Sequence, residues 1–244
     1  MVSITSYLIN ELTKNKIKLI VCDEKHNPVC ELTPYYGAHN TSKRVQNQAL
    51  WTKETKDKAW QNIIKHKIYN QAQLLKKLNI EGYEKLLEYI TDVKQGDFTN
   101  REGHAAKVYF NLLFGKDFLR GKADNTNIAL DYGYSILLST FNREIVSKGY
   151  ITQLGINHKN EFNQYNLSCD LMEPYRPLID EIVYENRELV FGKEFKMKLL
   201  NVLNKNVDIE DRNQFVSNAI TQFTNSVLNF MDKNAESKII NYEF

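Results

Sequence analysis

The chain has 244 residues, enough for one large domain or one domain with a small addition. Apolar residues make up 42% and charged residues 25%, with 14 Tyr and 12 Phe, which excludes a disordered chain and supplies a sizeable core. Lys and Arg number 32 against 30 Asp and Glu, so a net charge of +2 gives no overall pull toward nucleic acid, and any such attraction must come from local clustering.

Ile4, Leu8 and Leu12 fall on one face of a short helix over 3–13, with Ser3 as its cap. Residues 16–22 are β-rich, Asn27-Pro28 marks a turn, and 29–32 form a second strand. One helix and two short strands cannot cover both faces of a sheet. This opening therefore needs a partner, or is the end of a larger β-domain. Residues 34–40 read as a linker.

Beyond it the pattern is helical. Trp60, Ile64, Ile68, Leu75 and Leu78 stripe a helix over 58–78, with Lys58, Lys65, Lys76 and Lys77 mostly off the stripe. Further helices are expected at 83–90, which Gly96 terminates, and at 99–114. The stretch 127–146 is apolar nearly all round, the mark of a buried central helix, and Gly149 stops it. A β-like 150–154 follows, then helices at 171–185, 193–203 and 211–231, the last striped by Val216, Ile220, Phe223, Val227 and Phe230. Residues 235–244 read as a frayed tail. The fold class expected is mainly α: a small α/β piece (1–33), a linker (34–40) and a helical body (41–244).

Cys22, Cys30 and Cys169 are odd in number, sparse and without finger spacing. They exclude a zinc–thiolate site and a secreted disulfide framework, and point to a reducing, cytoplasmic setting. No apolar run approaches the roughly 20 residues that span a bilayer, and the start carries no signal-peptide pattern.

Two clusters carry the candidate chemistry. In Arg101-Glu102-Gly103-His104, Glu102 has two readings. It closes a capping box with Thr99, or it is a metal carboxylate at a helix start, where Gly103 permits close approach. The second cluster runs from Asn157-His158 to Ser168-Cys169-Asp170-Leu171-Met172-Glu173-Pro174. A lone histidine is more often structural, but His158 lies in a polar connection, where functional groups are displayed. Asp170 and Glu173, at i and i+3, share a face if they sit in a first turn. The bland account is that both complement a helix dipole, with Ser168 as N-cap. Pro174 requires a helix start nearby.

Together these are three or four hard ligands, a set that suits a divalent ion acting on a phosphodiester. His104, at i+2 from Glu102, reads as structural or as a DNA contact. The basic candidates are scattered: Lys43, Arg44, Lys65, His66, Lys67, Lys76, Lys77, Arg101, Lys107 and Arg176. Of these, Arg101, Lys107, Arg176, Lys65 and Lys67 are the DNA-binding candidates.

The segments 101–110, 155–158 and 168–180, above all Asp-Leu-Met-Glu-Pro-Tyr-Arg-Pro, resemble the CRISPR-associated integrase of spacer acquisition, in its type II form. The resemblance covers essentially the whole chain. It implies that Glu102, His158 and Asp170 bind Mg2+ or Mn2+, with Glu173 auxiliary or behind them. It implies a homodimer built through a β-rich N-terminal domain, of which this chain holds only the end, as in a truncated form, a misassigned start or a designed protein. It further implies a small companion dimer protein between two such dimers, a double-stranded DNA fragment across them, and the large effector nuclease as a further partner. The activity implied is attack of a free 3′-hydroxyl at the edge of a CRISPR repeat. Two other readings remain: a non-catalytic helical scaffold for DNA or protein whose acids only cap helices, and a hydrolytic nuclease on branched or single-stranded nucleic acid.

Overall fold

The computed structural model describes residues 3–24, 28–36, 40–233 and 235–244. The chain starts with helix α1 (Ser6–Lys14), capped by the Thr5 hydroxyl on the Leu8 amide at 3.2 Å rather than by Ser3. Strands β1 (Leu19–Cys22) and β2 (Pro28–Leu32) pair antiparallel, with Leu19 opposite Leu32. The expected turn at Asn27 falls outside the described residues, as does part of the 34–40 linker. No residue of α1 is buried. Ile4, Tyr7, Leu8, Ile17, Val21 and Val29 are all exposed.

The body is a stack of helices around two central ones. Helix α2 (Thr41–Ala49), which the sequence pattern did not announce, leads to α3 (Lys53–Lys77). The α3 helix begins five residues before the expected start at 58, because the Thr52 hydroxyl caps the Thr55 amide at 3.2 Å. Its buried set runs from Thr55 through Trp60, Ile64, Lys67, Asn70 and Gln71 to Leu75, more than one face, so α3 is itself interior. After α4 (Glu84–Asp92) and α5 (Arg101–Phe114) comes α6 (Asn125–Ser147), buried nearly all round as its composition requires. Helix α6 packs on α7 (Asn166–Met172), α8 (Arg176–Glu185) and α9 (Lys193–Leu200).

Four expectations are corrected. The segment 150–154 is not a strand. It is an irregular connection held by Gln48, whose side-chain amide donates to the Ile151 and Leu154 carbonyls at 2.8 and 2.9 Å. The helix expected over 171–185 is broken: α7 ends at Met172, a 3-10 turn covers Glu173–Tyr175, and α8 follows, because Pro174 cannot sit inside one continuous helix. The helix expected from 211 is preceded by a hairpin, β3 (Asn206–Ile209) and β4 (Arg212–Phe215), and α10 spans Val216–Asp232. The tail is not frayed. Strand β5 (Tyr242–Glu243) pairs with β3, and the fully buried Tyr242 donates its hydroxyl to the Pro174 carbonyl at 3.1 Å. Among the described residues no helix is long and apolar enough to cross a membrane.

Candidate active site

The start of α5 decides between the two readings of Glu102. Asp97 and Asn100, both at positive φ (46° and 52°), fold the preceding turn back onto the helix. The Asp97 carboxylate accepts the Arg101 and Glu102 amides at 2.9 Å each, and the Asn100 side chain accepts the Gly103 amide at 3.3 Å. Among them is the Glu102 amide, the donor that the Thr99 hydroxyl would serve in a capping box. Thr99 is not the cap and its hydroxyl is unpartnered. Glu102 is therefore free of capping duty, and the capping-box reading is corrected.

The Glu102 carboxylate turns to Lys67 on α3, with Nζ 2.7 Å from Oε1. The same ammonium lies 2.6 Å from Glu173 Oε2. Lys67 is buried, and its charge survives there because two carboxylates share it. Burial works against the ammonium, yet Glu173 and Glu102 together hold it above its ordinary range. On the far side of Glu173, Arg176 places Nε and NH2 at 2.9 Å from Oε1. Burial pushes the Glu173 carboxyl up, but Arg176 and Lys67 pull harder and hold it at about 2. Glu173 Oε2 is balanced by the Lys67 ammonium, a side-chain cation, where Oε1 has Arg176.

Arg176 is braced in turn. Its guanidinium lies 4.5 Å from the Tyr134 ring centroid. The hydroxyls of Tyr134 and Tyr109 donate to the two oxygens of buried Asp180, at 2.5 and 2.8 Å. Burial pushes Asp180 up to about 6, against both of those hydrogen bonds.

His158 is organised differently. Asp170, fully buried in the second half of α7, accepts the Ile156 and Asn157 amides on Oδ2 at 2.6 and 3.0 Å. On Oδ1 it accepts the His158 amide at 3.1 Å and the His158 ring Nδ1 at 2.6 Å. Gly155 makes the approach possible: a Cβ there would lie 2.5 Å from the His158 carbonyl oxygen and 2.8 Å from Asp170 Oδ2. With Nδ1 committed, Nε2 is the nitrogen left for other work. The Asp170 hydrogen bond raises the imidazole above its ordinary value despite burial, and the charges of Asp170, Glu173 and Glu102 act in the same direction. Ser168 is no N-cap. It lies inside α7 and its hydroxyl donates to Asn142.

Helix α3 joins the two halves. The His158 ring packs edge-on against Trp60, with centroids 5.9 Å apart, and Lys67 lies seven residues on, two turns along the same face. Glu102, Glu173 and His158 thus line one side of α3. Two carboxylates and an imidazole suit a hard divalent cation with open positions. The ammonium of Lys67 stands between the carboxylates as such a cation would. Among the described residues no three His, Cys, Asp or Glu side chains are already drawn together tightly enough to hold an ion.

The basic candidates separate. Lys67 is buried and Arg176 is committed to Glu173, so neither is the surface DNA contact the sequence suggested. Arg101 turns to Asp92, 3.7 Å away, and to the Tyr89 ring. Lys107 is exposed and Lys65 half-buried. His104 is exposed on α5. The role of Lys67 had a sequence signal: a lysine seven residues after Trp60 lies on the apolar stripe, not off it.

A family model described as "CRISPR associated protein Cas1" matches residues 1–210. The CRISPR-associated endonuclease Cas1 of Neisseria meningitidis serogroup C (strain 8013) is 33% identical over 242 residues, covering 96% of this chain and 79% of that protein. The CRISPR-associated endonuclease Cas1 1 of Pyrobaculum aerophilum is 30% identical over 207 residues, 76% of this chain and 68% of its own length. Among solved structures, a casposase bound to integration product superposes with a TM-score of 0.81 at 22% identity, over 96% of this chain and 76% of that one. The Cas6-RT-Cas1–Cas2 complex gives 0.71 at 20% identity, over 96% and 30%. The helical body, its small sheets and these matches agree: the chain belongs to the Cas1 family of CRISPR-associated proteins.

Proposed function

We propose that the chain is a divalent-metal-dependent DNA integrase and endonuclease that joins short DNA fragments to a CRISPR repeat. In this reading Glu102, Glu173 and His158, through Nε2, hold Mg2+ or Mn2+, and Asp170 orients His158 from behind. This exchanges the roles expected of Asp170 and Glu173. The observation that carries it is the difference in their partners: Asp170 has three backbone amides and a ring nitrogen on its two oxygens, while Glu173 has only side-chain cations, Arg176 on one oxygen and Lys67 on the other.

When bound, the ion would neutralise charge on the reacting phosphate and on the attacking and leaving oxygens. The chain's own residues hold the parts still. Arg176 fixes one Glu173 oxygen, Asp97 and Asn100 fix the backbone beneath Glu102, and Asp170 fixes the imidazole tautomer. In the joining step the fragment's 3′-oxygen forms a bond to a repeat phosphorus. The bond from that phosphorus to the repeat's own 3′-oxygen breaks, leaving a 3′-hydroxyl on the repeat.

Partners follow from the same reading: a double-stranded DNA fragment, the repeat, a small companion dimer protein, the large effector nuclease and a second copy of this chain, all in the cytoplasm. The related structures, a casposase bound to its integration product and the Cas6-RT-Cas1–Cas2 complexes, support the DNA and the companion. The exposed apolar residues of α1, β1 and β2 support residues 1–33 as part of the dimer-forming unit, with 41–244 the catalytic body.

The test is strand transfer with Mn2+ in E102Q, H158N and E173Q, alongside Mn2+ quenching of Trp60 fluorescence. Each substitution should abolish joining and weaken quenching. Wild-type joining in all three would refute the assignment. One observation favours the scaffold reading: Lys67 already balances both carboxylates without a metal. A saturable Mn2+ site excludes that reading, and cut products without joined ones would identify a hydrolytic nuclease.

A further inference from the structure

His66 precedes Lys67 on α3 but borders a separate cavity of about 720 Å3. That volume lies within the range of ligand pockets, roughly 300–1,000 Å3. One wall is the β3–β4 hairpin and the tail strand β5, which bring Asp208, Glu210, Asp211 and Glu243. The other is α3, with His66 and Tyr69. Lys238 is the one ammonium lining it among the described residues, so four carboxylates against one cation leave three negative charges in excess. The sheet concentrates that excess. Strand β3 buries Val207 and Ile209 and turns Asp208 outward. Strand β5 sets Glu243 directly opposite Asp208. Like charges opposite each other across a ladder destabilise it. Asp208 accepts the Asn213 side-chain amide at 2.8 Å. Among the described residues, the carboxylates of Glu210, Asp211 and Glu243 have no hydrogen-bond donor and no ion-pair partner.

His66 is the second unmet group. Burial pushes its imidazole down to about 4, so the ring stands neutral at physiological pH. Nδ1 is closed off without a partner, and the ring makes no hydrogen bond among the described residues. Nε2 is therefore the nitrogen open to the cavity that His66 lines, and a neutral imidazole accepts one hydrogen bond there. Burial, and then the Glu243 charge, push the neighbouring Tyr69 hydroxyl up, which sets an aromatic face beside a carboxylate. Among the described residues no three acids or histidines converge tightly enough to hold a metal ion. The negative charges are spread along the wall, with Tyr69, Ile239 and Ile240 offering apolar surface between them. A cation that answers such a wall carries its own charges apart, on an apolar stem.

We propose that this cavity binds a linear polyamine. One ammonium lies between Asp208 and Glu243 and donates to His66 Nε2, another lies on Glu210 and Asp211 at the hairpin turn, and the methylenes run along Tyr69 and Ile240. No group of the catalytic site takes part, so the cavity and the joining of DNA stand or fall separately.

Binding is measured by isothermal titration calorimetry on the full, metal-free chain, with spermidine as the probe at fixed ionic strength. The wild type should show one saturable site and a rise in Tm with spermidine. D208N/E243Q should bind about tenfold more weakly, the worth of two partly screened charges. Its Tm without ligand should be higher than that of the wild type, because the opposed like charges are gone. E210Q/D211N should also lose about tenfold, and decides alone if the first double variant fails to fold. H66F should lose about threefold, for one hydrogen bond. E102Q should bind spermidine as the wild type does. Unchanged affinity in the double variants overturns the proposal, as does an equal rise in Tm from Mg2+ at the same ionic strength. Tighter binding of trilysine than of spermidine overturns it too, and would assign the cavity to the side chains of a protein. Affinity lost in E102Q but kept in D208N/E243Q would place the amine on the catalytic carboxylates instead.

Discussion

Asp170 and Glu173 lie three residues apart and both are buried, yet they are held in opposite ways. Asp170 is satisfied by three backbone amides and one imidazole nitrogen, groups the fold itself supplies. Glu173 is satisfied on one oxygen by Arg176 and on the other by the Lys67 ammonium, a point charge on a flexible stem that it shares with Glu102. The difference teaches how to assign carboxylates at a site. One saturated by backbone belongs to the scaffold, and one balanced by a side-chain cation is free to exchange that cation for another.

Removing the scaffold carboxylate should have the largest effect. D170A leaves three backbone donors unpaired in the interior, at roughly 1–3 kcal/mol for each such group and not additively. We expect a loss of roughly 3–5 kcal/mol in denaturant unfolding, with joining abolished and no recovery on adding Mn2+. Recovery by Mn2+ would mean that Asp170 acts through the ion and not through the loop.

Removing the exchangeable partner should do less and should respond to metal. K67M strips Glu102 and Glu173 of their shared cation. We expect roughly 2–3 kcal/mol, below the roughly 3–5 of a wholly buried pair because Glu102 is partly exposed. Mn2+ should raise the Tm of K67M more than that of wild type, since no ammonium has to leave first. The pH dependence carries the same information. Glu173 lies below its ordinary 4.5, at about 2, so its contribution is complete above the ordinary value and is lost as pH falls toward 2. In K67M the depression should shrink, and the acid limb of stability against pH should be shallower over that window. An unchanged acid limb would show that Arg176 alone sets it.

Much of this site is legible in the chain. The glutamate, histidine and paired acids stand out because hard ligands in polar connections near helix ends have few other reasons to be there. What the sequence conceals is their division of labour. Spacing at i, i+3 puts Asp170 and Glu173 on one face only if one helix carries both, and the break before Pro174 gives each its own surroundings. Thr99-x-x-Glu102 matches a capping box, but Asp97 takes the amides first through a left-handed turn at Gly96, Asp97 and Asn100, residue types that tolerate positive φ without dictating which side chain caps. The fold shows the same limit. The buried α6 is plain from composition, whereas the β3–β4 hairpin turns at Glu210 and Asp211, both at positive φ, without the glycine or asparagine that marks such a turn. The buried place of Tyr242 depends on Pro174, 68 residues away, which local pattern cannot reveal.

Gly155 tests the scaffold half by crowding rather than deletion. In G155A the new methyl meets a carbonyl oxygen at 2.5 Å and a fixed carboxylate at 2.8 Å, neither the end of a flexible chain. Overpacking of this kind costs roughly 1–3 kcal/mol. The displaced loop should slow joining by on the order of a hundredfold, since a shift of about 1 Å at a reacting centre has that effect. Loss of stability without loss of joining would detach the loop from the chemistry.

The smallest effect is the most local and bears directly on what Asp170 does. Its hydrogen bond to Nδ1 is the main reason the His158 imidazole titrates above its ordinary 6.5. A group raised in the folded state contributes stability that is complete below the ordinary value and is lost as pH rises through the raised one. The half-exposed ring makes the energy small, so the titration is better read by NMR on the metal-free protein, following the His158 ring protons. The wild-type midpoint should lie above 6.5, and in D170N it should fall, because a neutral amide keeps a bond to the ring while removing the charge that favours the imidazolium. If the midpoint stays where it was in D170N and instead drops in E173Q, the imidazole answers to the exchangeable half of the site, and Asp170 is only a fastener for the loop.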